Sequence, residues 1–540
     1  MENEQIYKDR NEEYEDILNE EEKTKIIFDQ KISIRKLKKN EVLMSKRNKE
    51  LTSKKKYEYI QKIDLASLSK DLLQIYNQEK SSNTKLNITR YLDYIYKINA
   101  QKFQETYFVL DRLYVILSTL DESELFKIID DLNLGHKLFD LFEIFPKNNK
   151  IYKYQTFKIL VNISMKKNKD TMSKLVNPTS VEFCKNQLLN LFKNIIENSE
   201  LICQIILFLM NLLEDNNYIQ YVYYQYYIYE LLYSFILNNK SLRNNNEEED
   251  KKLKQVIRHI VTFFSLFIAV NFDENEQIFN DNKEKILNEL YNLFEYFMLN
   301  NYGDKDLVLD CVWGLSNILT QFNEEDTFID NLTEKYFQNI IPNLYQLILI
   351  DNNDYRVPIF RVIGNLTSLK DKYCQRFFIP PWSGFLLKLL ENNLVLPKYK
   401  ILIIWILHNI CAGTNFECMK LYDCEKILIN VLKIETNLDV IYHVLKLFYG
   451  IIKSTKQNYL NDELVDCIIE IVKRNLSLKI NFVCSFLCEQ ILEVNIQKYI
   501  DKLNDISFKE ILENWALSEN DELKLSAEYV LNKYYNKNNI

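Results

Sequence analysis

The stretch LDCVWGLSNILTQFNEED, residues 309–326, carries the pattern that decides the fold. Its apolar residues recur at helical spacing, then comes an asparagine followed by an apolar residue, and a polar break ends the stretch. The same frame occurs in YKYQTFKILVNISMKKNKD (152–170), CQIILFLMNLLEDNNYIQ (203–220), VPIFRVIGNLTSLKDKY (357–373) and KILIIWILHNICAGTNFE (400–417). A frame that returns along a chain predicts a repeat architecture.

The spacing of the asparagines in this frame gives the size of the repeat. These ladder asparagines are Asn162, Asn211, Asn317, Asn365 and Asn409, separated by 49, 106, 48 and 44 residues. The separation of 106 is about two periods, and IRHIVTFFSLFIAVNFDEN (257–275) is the unit without the asparagine. A period in the forties is typical of armadillo or HEAT units, whose helices bury their apolar faces only by stacking.

The repeat predicts an all-α protein, specifically a right-handed superhelical armadillo solenoid. Residues 105–540 leave room for about ten units, and the last unit is expected at about 505–540. Residues 61–104 continue helical patterns and are predicted to lead into the first unit, whereas the polar stretch 239–254 is predicted to be a loop between units.

Composition excludes several other classes of protein. The chain of 540 residues is 47% hydrophobic but contains only 7 glycines and 7 prolines, which disfavours hairpin-rich β folds and glycine-rich phosphate sites. Its 10 cysteines are scattered without zinc spacing, and no nucleophile motif, carboxylate pair or phosphate loop occurs. We therefore expect no enzyme activity, no metal and no cofactor. The sequence lacks an uncharged transmembrane run, and an intracellular protein is expected.

A strongly basic segment lies near the amino terminus. Residues 31–56 hold eleven Lys or Arg and two acids, a net charge of +9, whereas the rest holds 57 basic and 74 acidic residues, a net charge of −17. Ile34, Leu37, Met44 and Leu51 form one apolar stripe, so a flexible amphipathic helix is predicted. Residues 1–30 are acidic. Such a basic helix is suited to an acidic partner.

The order of residues in this segment resembles a known family. IRKLKKNEVLMSKRN, residues 34–48, is similar to the importin-β-binding segment of the importin-α family. The resemblance implies that residues 1–60 bind importin-β, and that part of the segment also occupies the protein's own groove when importin-β is absent. The residues that would take these roles are Arg35, Lys36, Lys38, Lys39, Lys46 and Arg47.

A second pattern places chosen residues four positions before three of the ladder asparagines. The pairs are Trp313 with Asn317, Arg361 with Asn365, and Trp405 with Asn409. This spacing puts both members of a pair on one helical face. A carboxamide can hold the backbone of an extended peptide, and neighbouring indoles form slots for Lys or Arg side chains, with cation–π attraction of ~0.5–2 kcal/mol each.

These three stretches also resemble importin-α. VWGLSNIL, FRVIGNLTS and IIWILHNICAGTN are similar to the family's fifth, sixth and seventh repeats, which implies that the six paired residues form a minor groove for basic nuclear-localisation signals. SENDELKLSAEYVLNKYY (518–535) is similar to the last repeat, which implies binding of a nuclear export receptor. The implied protein is a nuclear import adaptor that shuttles between cytoplasm and nucleus and contacts neither nucleic acid nor membrane.

The first half departs from the family's pattern. The resemblance implies a principal cargo groove at Asn162, Asn211 and Asp215, but Lys158 and Leu207 stand where the family has tryptophan. Without indole slots, this groove is expected to hold basic cargo weakly or to read a different signal.

Two other functions remain open. The chain could be an armadillo scaffold that binds a non-basic partner without transport, and the missing tryptophans favour this alternative. Salt dependence of peptide binding would separate the two, because a groove for basic peptides weakens with added salt. A nucleic-acid-binding solenoid is disfavoured by the net charge of −17 outside residues 31–56.

Overall fold

The structure, a computed structural model, describes fifteen parts of the chain. They are residues 65–79, 83–98, 102–145, 149–165, 178–213, 217–239, 246–269, 282–301, 303–322, 328–350, 353–377, 381–392, 394–411, 422–455 and 460–535. The basic segment 31–56, with Arg35, Lys36, Lys38, Lys39, Lys46 and Arg47, and the residue Asp215 lie outside them. By its internal contacts the chain forms two compact bodies, Met1–Lys283 and Glu284–Ile540.

Every regular element within the described parts of the chain is a helix. The first body contains α1 Lys70–Gln78, α2 Thr84–Ile98, α3 Phe103–Thr119, α4 Glu122–Leu132, α5 Leu134–Ile144, α6 Lys150–Ser164, α7 Pro178–Leu191, α8 Ile195–Leu212, α9 Asn217–Gln225, α10 Ile228–Asn239 and α11 Glu247–Phe267, with 3-10 turns at Leu65–Ser67 and Phe192–Asn194. The all-α prediction is confirmed.

The helices of the second body follow the same alternation. They are α12 Lys283–Asn300, whose first residue is the last of the first body, α13 Lys305–Leu319, α14 Phe328–Lys335, α15 Ile341–Leu349, α16 Asn353–Thr367, α17 Asp371–Phe377, α18 Trp382–Glu391, α19 Pro397–Cys411, α20 Tyr422–Ile434, α21 Leu438–Thr455, α22 Asp462–Arg474, α23 Leu478–Asn504, α24 Phe508–Ala516 and α25 Asp521–Val530. π-helical turns occur at Tyr336–Ile340 and Leu531–Tyr535, and α23 bends at Asn495.

Short polar side chains start many of these helices. The side chains of Asp121, Asp304, Asn461, Ser477 and Asn520 each accept a hydrogen bond from the backbone N–H three residues later. Such caps satisfy backbone donors that lack a partner in the first turn. Frequent capping by Asn and Asp explains how a chain with few glycines and prolines is divided into so many helices.

One row of helices in each body stacks directly, helix upon helix, and we call its members the ladder helices. In the first body they are α3, α6, α8 and α11, and in the second body α13, α16, α19, α21, α23 and α25. A preceding helix packs on most of them, as α5 does on α6 and α15 on α16. This is the helical-repeat architecture that the frame predicts, because each amphipathic unit covers its apolar face with its neighbour.

Some repeats have a third, short helix and others do not. The short helices α4, α9, α14 and α17 precede α5, α10, α15 and α18, which gives the three-helix unit typical of armadillo repeats. Ion pairs link equivalent positions of adjacent repeats, such as Lys305 with Asp354 at 2.6 Å and Lys150 with Glu197 at 2.9 Å. The count of about ten repeats, the superhelical hand and the domain limits stay predictions.

The prediction of a loop at residues 239–254 is wrong for residues 247–254, which are helical. Helix α11 begins at Glu247, and Asn246 caps it by accepting from the Glu248 N–H at 3.0 Å. The acidic run is its first turn, where the positive end of the helix dipole favours carboxylates, and Lys252 bonds Glu248 at 2.9 Å. A polar run without apolar residues therefore begins a helix here.

Two general features of the described residues bear on the class of protein. One helical run, Thr179–Leu212, is long and apolar enough to span a bilayer, but 78% of its apolar window is buried inside the protein, which is typical of a core helix. Eight of the nine cysteines in these parts of the chain, all except Cys411, are free and buried, and burial raises the pKa of thiols such as that of Cys484. They pack as small hydrophobic residues.

Candidate functional site

The ladder asparagines occupy one register on the ladder helices. Asn317, Asn365 and Asn409 each stand two residues before the end of α13, α16 and α19. In the first body, Asn162 has the same position in α6, and Asn211 stands one residue before the end of α8. The frame read from the sequence thus marks the last turn of successive stacked helices, and the asparagines form a row across each stack.

Asparagines join three successive ladder helices of the second body, α16 to α13 and α19 to α16. The Nδ2 group of Asn365 donates to the backbone oxygen of Ser316 at 2.9 Å and to its Oγ at 3.2 Å. Asn409 repeats this geometry one helix later, donating to the Gly364 oxygen at 2.9 Å and to Thr367 Oγ1 at 3.4 Å. In both cases the carbonyl belongs to the residue just before the preceding ladder asparagine.

This arrangement gives the two ends of the carboxamide different roles. The amino groups of Asn365 and Asn409 bond inward, to the neighbouring helix. Their Oδ1 atoms accept no hydrogen bond from any residue that the structure describes. Because a peptide backbone offers N–H donors, the oxygen of the half-buried Asn409 is the atom with which the row could bind one, whereas Asn365 is only 2% exposed.

Buried tyrosines hold the ends of two ladder helices, one from α9 and one from the π-helical turn Tyr336–Ile340. Tyr223 Oη donates to the Leu209 oxygen at 2.8 Å, and Tyr336 Oη donates to the Leu315 oxygen at 2.7 Å. Both carbonyls lie two residues before a ladder asparagine. Burial raises the pKa of both tyrosines well above its ordinary value, so the hydroxyls stay protonated donors.

The three residues that precede the asparagines by four positions are largely enclosed. The exposed fractions of Trp313, Arg361 and Trp405 are 7%, 4% and 8%. The guanidinium carbon of Arg361 lies 5.4 Å from the centre of a Trp405 ring, a cation–π contact between α16 and α19. The structure therefore brings Arg361 and Trp405 together, but it does not leave the indoles as open slots.

Trp405 also packs on the backbone of the neighbouring helix. A Cβ atom at Gly364 would lie 1.8 Å from the indole Cζ3, so only a glycine leaves room for this side chain. The indole Nε1–H is buried and has no hydrogen-bond acceptor among the described residues. An unpaired buried donor costs ~1–3 kcal/mol and marks a place where an acceptor is missing.

The first body builds its row differently. Asn211 donates to the Val161 oxygen at 3.2 Å and to Ser164 Oγ at 3.0 Å, but its Oδ1 is buried without a partner, and so is the Nδ2 of Asn162. Lys158 lies over the ring of Tyr114 at 4.4 Å, and Leu207 is buried. No aromatic slot precedes either asparagine, as the sequence indicates.

Sequence reasoning missed the continuation of the row in the second body. Tyr449 and Phe486 lie on α21 and α23, the next two ladder helices, with ring centres 5.6 Å apart. Tyr449 follows Trp405 by 44 residues, which is the repeat spacing, but no asparagine marks its unit. Both are half-buried and therefore more exposed than either indole.

Removing the carboxamide of Asn365 tests how much its hydrogen bonds to Ser316, which join α16 to α13, stabilise the protein. Asn365→Ala should lower the free energy of unfolding by about 2 kcal/mol, because it leaves two buried acceptors of Ser316 unpaired. Urea denaturation would measure this. The matched control is Asn300→Ala, since Asn300 also donates to a helix carbonyl, that of Tyr296 at 2.7 Å, but is exposed. Equal effects of both variants would contradict a buried brace.

Comparison with known proteins supports the fold only. No protein-family model and no curated protein matches the sequence. An engineered protein of known crystal structure is similar, with 14% identity and a TM-score of 0.53 over 86% of this chain and 99% of that one. A computationally designed armadillo repeat protein for modular peptide recognition matches at 18% identity, with a TM-score of 0.37 over 45% of this chain and 99% of its own.

Proposed function

We propose that this chain is an adaptor that binds an extended basic peptide along the ladder helices of its second body. The observation that carries the proposal is the row of ladder asparagines on α13, α16 and α19. The carboxamide oxygen of the half-buried Asn409 is left for a peptide backbone, whereas Asn365 is 2% exposed and holds α16 against α13. The half-buried rings of Tyr449 and Phe486 continue this face on α21 and α23, and such rings suit the aliphatic stems and charged ends of Lys and Arg.

The resemblance to importin-α extends this proposal to nuclear import. The segment 1–60 would bind importin-β through Arg35, Lys36, Lys38 and Lys39, while Lys46 and Arg47 would compete with cargo. The terminal repeat would bind an export receptor, so the adaptor would shuttle between cytoplasm and nucleus. The opposite charges of residues 31–56 and of the remaining chain favour this competition at modest ionic strength. Such a scaffold needs neither catalysis nor a cofactor.

Peptide binding by the full-length chain tests the groove. A labelled lysine-rich peptide should bind, and an acidic peptide of equal length should not. Raising the salt from about 50 to about 300 mM should weaken binding of the basic peptide several-fold, because exposed charges are increasingly screened. Fluorescence anisotropy measures both. Salt-independent binding, or preference for the acidic peptide, would contradict a groove for basic signals.

Capture of importin-β tests the transport role. Full-length protein should retain importin-β on a resin, and the variant with Arg35, Lys36, Lys38 and Lys39 all changed to alanine should not. The quadruple variant with Lys8, Arg10, Lys23 and Lys25 changed to alanine is the control, since it removes four basic residues outside the matching segment. Loss of capture in both variants would indicate that importin-β binding depends only on the total positive charge. If the wild type itself fails to capture importin-β, the proposed transport role is wrong.

A second candidate is a scaffold for a non-basic partner. The burial of Trp313 and Trp405 favours it, because neither indole offers an open face to a lysine or arginine. In that case the half-buried aromatic residues Tyr449 and Phe486 would bind an apolar segment, and binding would not depend on salt. The peptide experiment separates the two functions.

A further inference from the structure

Arg361 is the exception in an otherwise aromatic row. The equivalent positions on α13, α16, α19, α21 and α23 are Trp313, Arg361, Trp405, Tyr449 and Phe486. In a row of aromatic side chains, the space between two neighbouring rings is a slot that can take a cationic side chain. Arg361 stands where one of these rings is expected, and it is itself a cation. Its guanidinium is the group that such a slot would take from a ligand.

The geometry places this cation in the slot. Arg361 is 4% exposed, and its guanidinium carbon lies 5.4 Å from the centre of a Trp405 ring. The indole cannot retreat from it, because it already lies against the backbone at Gly364, where a Cβ would be 1.8 Å away. Trp405 is therefore enclosed by Gly364 and Arg361 of α16.

A basic ligand side chain cannot share this slot with Arg361. Two cations at one indole repel each other, and the repulsion grows as water is excluded. The free-energy cost of displacing Arg361 is partly offset, however, because the buried Nε1–H of Trp405 has no acceptor among the described residues and can gain one. An opened slot would let that N–H bond to water or to a peptide carbonyl.

We propose that Arg361 is a built-in occupant of the Trp405 slot and sets the specificity of the groove. A peptide with Lys or Arg at this position binds only by displacing Arg361, so the slot discriminates against basic residues until it is opened. This proposal rests on the proposed function, because it concerns the same row. It makes Arg361 a specificity-determining residue rather than a direct ligand of cargo.

The same two helices supply a matched control. Arg356 on α16 lies over the ring of Tyr399 on α19, with its guanidinium carbon 5.7 Å from the ring centre. It has the same charge and the same kind of aromatic contact, but it lies at the other end of the helix pair, away from the asparagines. Replacing Arg356 removes one charge without opening the Trp405 slot.

The test compares full-length variants in binding a labelled oligolysine peptide. Arg361→Gln should bind about tenfold tighter than wild type, equivalent to about 1.4 kcal/mol, whereas Arg356→Gln should stay within about twofold. Arg361→Met, which keeps an apolar stem on the indole, should also bind more tightly and serves if the glutamine variant is poorly folded. Circular dichroism melting verifies folding of each variant.

The outcomes separate this inference from the proposed function. If wild type binds and neither Arg361 variant gains affinity, the slot inference is overturned while the groove stands. Equal gains in Arg361→Gln and Arg356→Gln would also overturn it, because they indicate a general effect of charge. If no variant binds oligolysine, both the inference and the groove for basic peptides fail. Binding that appears only in the Arg361 variants would support the slot inference but would contradict the binding of basic peptides by the wild-type groove.

Discussion

Replacing Gly364 with alanine is expected to destabilise the second body by about 3 kcal/mol, although alanine is the better helix former. Gly364 lies in α16, where helix propensity alone predicts a gain of up to ~1 kcal/mol. The new Cβ would fall 1.8 Å from Cζ3 and 2.3 Å from Cη2 of Trp405. Because the indole is rigid and buried, either it or the helix must move. Thermal and urea unfolding would measure the loss.

Gly384→Ala is the matched control for this substitution. Gly384 lies in α18 of the same body, and no atom lies within 4 Å of the position of its added Cβ. It should be neutral or stabilising. The double variant Gly364→Ala with Trp405→Leu should lose less stability than the sum of its single variants, because the smaller side chain relieves the clash. Stabilisation by Gly364→Ala would refute the packing of Trp405 on this helix.

The repeat frame predicted the fold because each of its features determines the local structure of the chain. An apolar stripe at helical spacing specifies a helix, and the asparagine with the polar break after it specifies where that helix ends, as at Asn317 and Asn365. Stacking then follows, since no single unit covers its apolar face. The same reading failed at Glu247–Asp250, because acids signal either a loop or a first helical turn, and only the cap at Asn246 distinguishes them.

The site could be predicted only as a row of positions. The sequence spacing placed Arg361 and Trp405 on equivalent helix faces. The sequences of the two helices do not specify, however, how closely the helices pack. For that reason the inward bond of the Asn409 amide, and the occupation of the slot by Arg361, were not foreseeable. Tyr449 was missed because its unit lacks the asparagine that defined the frame.

Replacing Lys400 with methionine is expected to cost about 2–3 kcal/mol at neutral pH, because it leaves the part-buried carboxylate of Glu435 without its cation. Lys400 on α19 is 4% exposed and bonds Glu435, in the turn before α21, at 2.9 Å. The backbone N–H groups of Thr436 and Asn437 donate to the same carboxylate at 3.0 Å each. The ion pair thus links the first turn of the ladder helix α19 to the turn between α20 and α21.

The pH dependence of this loss identifies its cause. Burial by itself would raise the pKa of Glu435, but the hydrogen bonds from Lys400 and the backbone outweigh it, so the pKa is lowered. A lowered pKa gives stability above the ordinary value of 4.5, and this stability is lost as the pH falls through the folded-state pKa. In Lys400→Met the unpaired carboxyl should have a raised pKa and protonate readily. The destabilisation should therefore be large at neutral pH and much smaller near pH 4.

Lys398→Met provides the control, since Lys398 is an exposed lysine two residues earlier on α19. It should change the free energy of unfolding by less than about 0.5 kcal/mol at either pH. Hydrogen exchange of peptides from α19 and α21 would show whether the loss in Lys400→Met is confined to these helices. A loss for Lys400→Met that is equal at neutral pH and at pH 4 would mean that packing, and not the charge of Glu435, holds this turn.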